Sequence, residues 1–174
     1  MRQEPEQSGQ SRLIASLLAG AIAIAVNTAL LEGADAIGFT TARGGLLRLL
    51  KDLAAQIAPD VNLADTWNNV LAPATTGDLF RNGFHIVVGL LMALFYAYVL
   101  ESALPGKPLV KGLIYAALVW LLNACVVLLA IGEGIAGLRF LGVPGMIGFA
   151  AIHTVFFVLL AVLYARFRAM PHSI

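Results

Sequence analysis

Two histidines occupy matching places in a repeated apolar segment: HIVVGLLMALFYA begins at His85 and HTVFFVLLAVLYA begins at His153. The copies agree at His85/His153, Val87/Val155, Leu91/Leu159, Ala93/Ala161, Tyr96/Tyr164 and Ala97/Ala165. An ionisable side chain inside a bilayer is costly, so a repeated one points to a built site that binds a polar group or handles a proton. Two asparagines extend the pattern. Aligning Asn27 with Asn123 also superposes Leu13 on Leu109, Leu17 on Leu113 and Ala21 on Ala117. Asn and His also hydrogen-bond across membrane helices, at about 0.6–2 kcal/mol per contact, so the same four residues fit structural glue as well as a chemical site.

The cluster has acidic neighbours in Glu32 and Asp35 near the end of the first apolar run and Glu133 after the third. A carboxylate dipping inward would help a histidine take up a proton. Thr28 and Thr154 stand beside the cluster as further polar groups. Two histidines on opposed helices could alternatively supply both axial ligands of a b-type haem, although Phe156 and Phe157 crowd His153 where a macrocycle needs room. Two imidazoles and two amides lack the thiolates or carboxylates that complete a metal site, and His172 lies too far along the tail to help. The single cysteine, Cys125, reads as a small buried hydrophobe. Ser16 and Ser102 have no histidine partner, so no catalytic residue is assigned and no enzyme activity is expected.

The elements that must position these residues are membrane spans. The 174-residue chain is 60% hydrophobic and 12% charged, with a mean hydropathy of +0.87, which identifies an integral membrane protein. Its net charge of +1 offers no dense basic surface for nucleic acid. Spanning helices are expected at about 13–31, 80–100, 109–131 and 144–165, each near the roughly 20 residues that cross the hydrocarbon. The first resembles a secretory leader, with Ala34-Asp35-Ala36 as a cleavage-like site, but its longer apolar run and its repeat partner favour a retained helix.

The fold expected is therefore all-α, a polytopic membrane protein of four transmembrane helices arranged as two tandem helical hairpins. A pseudo-twofold axis along the membrane normal would relate the hairpins. At 1.5 Å per residue, Asn123 and His153 both fall on the order of 12–14 Å below the outer surface, and Asn27 and His85 do the same by the repeat. Two Asn–His couples at one depth are the expectation.

The first hairpin carries 28 extra residues between its asparagine and histidine. Within them an amphipathic surface helix is expected at about 44–57, with Leu46, Leu50, Leu53 and Ile57 on one face and Arg48, Lys51 and Asp52 opposite. Pro59 ends it, and DVNLADTWNNVL is expected to form a second short surface helix that places Trp67 in the headgroup layer. Residues 1–12 are polar and expected to be disordered, 13–165 form one domain, and 166–174 form a tail. Small residues such as Ser16, Gly20 and Gly148 suit close helix packing.

Arg2, Arg12, Lys107, Lys111, Arg166 and Arg168 lie near one side of the spans, which by the positive-inside rule puts both termini in the cytoplasm. Tyr96, Tyr98, Tyr164 and Phe167 are then expected to form the cytoplasmic aromatic belt.

The succession of a histidine entering the second helix, ESALPGKPLVKGLIYAALVWLLNACVVL, a glycine-rich turn and AAIHTVFFVLLAVLYA resembles the YagU-like group of small four-helix bacterial inner-membrane proteins. The resemblance covers roughly residues 80–168 and the first helix loosely. It implies the four-helix fold, a bacterial inner-membrane location and interest in His85, Asn123 and His153. The function expected is non-enzymatic: an accessory or structural component of a membrane assembly, or a minimal oligomeric unit handling a solute or proton. Its partners are membrane lipids and a homodimer or larger complex, with no resident cofactor outside the haem alternative.

Overall fold

A chain in hydrocarbon must satisfy its backbone N–H and C=O groups internally, so apolar runs of this length become helices. In a computed structural model the described residues are 5–39, 44–57 and 77–170. Helix α1 covers Pro5–Ala36 and α2 covers Gly45–Ile57. Helix α3 starts as Asp78–Phe95 and passes through Tyr96–Leu100 to Glu101–Ala103, while α4 starts as Pro108–Leu122 and passes through Asn123–Val127 to Leu128–Ala130. Helix α5 covers Gly142–Ala169. Four of these are long and apolar enough to span a membrane, and α2 is the additional helix in the loop between the first two spans. The fold is an all-α four-span bundle.

Several expectations need correction. Residues 1–12 are helical from Pro5 onward: proline suits a first turn, and Glu and Gln extend a helix that the apolar run has already nucleated. The tail is likewise helical as far as Ala169, with Arg166 and Arg168 favourably placed against the carbonyl end of the dipole. The tyrosine belt is largely core instead. Tyr96 and Tyr164 are 1% and 2% exposed and meet edge to face at 5.7 Å, whereas Tyr98 stays at the surface under the Arg12 guanidinium. Cys125 is exposed on the lipid-facing side of α4 and not buried. The short helix expected over 60–71, with Trp67, lies outside the described residues, as does His172.

Glycines decide which spans approach closely. A Cβ at Gly20 would fall 2.6 Å from the Ala93 methyl, one at Gly89 would fall 2.6 Å from Ile24, and one at Gly112 would fall 2.8 Å from the Val158 Cα. These notches bring α1 onto α3 and α4 onto α5, the two hairpins, and α1 also packs along α5. The order around the bundle is therefore α3, α1, α5, α4.

Helices α3 and α4 meet chiefly through aromatic side chains near the end that carries the termini. There Tyr115 stacks on Tyr96 at 6.0 Å and its hydroxyl donates to the Met92 carbonyl at 3.2 Å. Toward the opposite, loop-bearing end, among the described residues, a cleft separates the two helices. The expected pseudo-twofold is thus broken, because it would make the α1/α5 and α4/α3 interfaces equivalent. Among the described residues one is closed and the other is open.

Both α3 and α4 contain a π turn, at Tyr96–Leu100 and Asn123–Val127. A π turn admits an extra residue into the helical ladder and rotates the residues beyond it. The repeat partner of α4, α1, is regular α-helix throughout Pro5–Ala36.

Candidate functional site

Asn27 is 1% exposed because α1 runs between α3 and α5, and its side chain ties the three together. The amide nitrogen donates to the Ile152 carbonyl of α5 at 3.0 Å. That bond fixes the amide orientation and turns Oδ1 toward α3, where it lies 2.9 Å from His85 Nε2. An amide oxygen only accepts, so this contact requires His85 to carry a proton on Nε2 and donate it.

His153 is held differently. Its Nδ1 lies 2.9 Å from the Phe149 carbonyl of its own helix, so the proton sits on Nδ1 and the neutral ring keeps Nε2 as an acceptor. The two imidazoles meet edge to face, with centroids 6.5 Å apart at 76°, and Phe149 packs against His153 at 4.2 Å. The histidines of the two hairpins therefore do converge. Only one of the two expected Asn–His couples forms. Asn123 opens the π turn of α4, and His153 bonds the Phe149 carbonyl and not this amide.

All four residues line a cavity of about 120 Å³ in the loop-bearing half of the bundle. Arg81, one turn before His85, reaches it at the loop end, and Val88, Met92, Val119 and Trp120 form the apolar walls of the α3/α4 cleft. Neither Arg81 nor Trp120 stands out in the sequence as part of the cluster. The signal is present in their spacing, since Arg81 is four residues from His85 and Trp120 three from Asn123, and such pairs share a helix face.

Among the described residues no contact joins the acidic neighbours to the histidines. Glu32 accepts from Asn82 at 3.2 Å, Asp35 is exposed, and Glu133 accepts from Arg48 at 2.5 Å. None of the three lines the cavity. Thr154 donates to the Ala150 carbonyl of its own helix at 2.8 Å. Among the described residues no three His, Cys, Asp or Glu side chains gather as a metal site.

The Arg48–Glu133 pair instead holds α2 in place. Gly45 sits against Leu128 and Ile131 at the end of α4, so the first turn of α2 covers the cavity with Leu46 and Leu47. Farther along, Leu50 and Leu53 remain 45% and 41% exposed, a face suited to the acyl chains of the surrounding bilayer. Helix α2 therefore caps the bundle with one end and offers its apolar face to lipid with the other. Arg48 was expected on the polar face turned from the bundle; its length lets it reach back to the nearly buried Glu133.

Comparison with models of protein families, with curated proteins and with solved structures returns no match. Function must therefore be sought in the geometry of the cluster.

Proposed function

We propose that this is a non-enzymatic protein of the bacterial inner membrane, with both termini in the cytoplasm, that binds a small solute or amphiphile within its bundle. It would serve as an accessory subunit or an oligomeric solute- or proton-handling unit. The observation that carries the reading is the division of labour between the two histidines. His85 Nε2–H is committed to Asn27 and so to helix pairing, whereas His153 Nδ1 bonds within its own helix and leaves Nε2 as an acceptor on a cavity wall that it shares with Asn123. Among the described residues the hydrogen bonds of these rings run to an amide and a backbone carbonyl, which supports binding over covalent catalysis.

Passage of a solute across the membrane would need a second copy. The cavity opens sideways between α3 and α4, while Tyr96, Tyr115 and Tyr164 fill the bundle toward the other end. The haem alternative fits these residues poorly: His85 Nε2 is spent on Asn27, and Phe149 packs against the His153 ring at 4.2 Å, where a macrocycle would need room.

Thermal unfolding in detergent tests the division. Asn27→Leu and His85→Phe should lower stability, while Asn123→Leu and His153→Phe should leave it within about 0.5 kcal/mol, the usual range for substitutions that break no fixed contact. Equal losses in all four variants would make the whole cluster structural and remove the binding role. Orientation is tested separately by labelling a single cysteine placed at Lys107 in a Cys125→Ser background; reaction from the periplasmic side alone would invert the topology.

A further inference from the structure

We propose that the cavity takes a single-chain carboxylic amphiphile, a fatty acid, with its head between Asn123 and His153 and its chain leaving sideways through the α3/α4 cleft. The proposal rests on reading this cluster as a binding site. A carboxylic acid offers one hydrogen-bond donor and one acceptor on the same carbon. The wall presents the complement: His153 Nε2 accepts, because Nδ1 already donates to Phe149, and the Asn123 amide donates. The protonated acid is therefore the form that this wall matches.

The remaining geometry selects a single chain. Below the polar wall the lining is apolar, with Val88 and Met92 from α3 facing Val119 from α4. The Tyr96–Tyr115 stack and the Tyr115–Met92 hydrogen bond stop a chain from continuing down between α3 and α4, and Leu46 and Leu47 of α2 cover the top. An occupant longer than the cavity must therefore emerge laterally into the bilayer. A volume of about 120 Å³ suits a carboxyl with the first part of a flexible chain. A quinone head presents two acceptors and no donor, which leaves the His153 acceptor unmatched.

Trp120 lines the cavity and supplies the probe. The chain has two tryptophans, so Trp67→Phe leaves Trp120 as the single emitter. With this variant in lipid nanodiscs, a mid-chain brominated fatty acid should quench Trp120 saturably, and unbrominated oleic acid should reverse the quenching. Brominated phosphatidylcholine at the same mole fraction should quench weakly and without saturation. Adding Asn123→Leu should raise the half-saturating concentration about tenfold, the equivalent of about 1.4 kcal/mol.

Equal quenching by brominated phosphatidylcholine, or no reversal by oleic acid, would mean that ordinary bilayer chains visit the cleft, and the proposal would fall. Oleic acid competition on the unaltered cavity decides the matter even if Asn123→Leu misfolds. Should the stability division hold while fatty-acid selectivity fails, only the ligand class is wrong; should the division itself fail, the binding role goes with it.

Discussion

Replacing Asn27 by leucine removes two interhelical hydrogen bonds at nearly constant side-chain volume, so the loss reads the bonds with little cavity contribution. Membrane helix hydrogen bonds average about 0.6 kcal/mol and reach about 1.7, which puts two of them at about 1–3 kcal/mol. The two are not equivalent. The Ile152 carbonyl sits inside α5, where a carbonyl's other lone pair serves the helix, whereas the His85 Nε2–H loses the Oδ1 acceptor it faces at 2.9 Å. For a chain of this size the loss corresponds to a fall of about 2–12 °C in Tm.

The informative measurement is the double-mutant cycle with His85→Phe. Each single substitution strands a buried polar group, but the double variant strands neither at that contact. It should therefore be more stable than the sum of the singles, by a coupling of about 1–2 kcal/mol. Reversible unfolding in mixed micelles supplies the four free energies. A coupling below about 0.3 kcal/mol, within the scatter of additive sites, would refute the bond's role in holding α1 against α3.

The notch at Gly112 is lined by backbone, the Val158 Cα and the Phe157 carbonyl, which cannot yield as a side chain can. Gly112→Ala should cost about 1–3 kcal/mol by overpacking, and Gly33→Ala, with nothing near its added methyl, should be neutral or stabilising in the same assay. Arg48→Ala removes the exposed half of the Arg48–Glu133 pair and should weaken the docking of α2 by about 1 kcal/mol. Hydrogen exchange at α2 should then rise about five-fold while α1 and α5 stay protected, and the Arg48→Glu/Glu133→Arg exchange should recover part of the protection; unchanged exchange at α2 would show that the ion pair does not hold the cap.

Much of the candidate site was legible because its residues break an apolar pattern. Asn27, His85, Asn123 and His153 stand out in the repeat, and turn counting puts them at one level, where the structure indeed gathers them around one cavity. What the pattern conceals is pairing. Symmetry leads to two Asn–His couples, but the π turn that begins at Asn123 and the carbonyl that engages His153 leave one. The tyrosines mislead for a related reason: interfacial and buried tyrosines look alike in one dimension, and only the side of the helix they occupy separates them. Arg48 and Glu133, 85 positions apart, carry no mutual signal at all.

By itself the sequence determined the number of spans, their lengths, the extra amphipathic helix and the set of polar residues at mid-depth, because local hydropathy and helical rise dictate these. Which helices touch was decided only in three dimensions. Close approach depends on a glycine meeting a particular partner, as Gly89 meets Ile24 and Gly112 meets Val158, and no repeat or composition specifies that partner. Those contacts produce the open α3/α4 interface, the cavity behind it and the separate fates of two histidines that the repeat presents as equals.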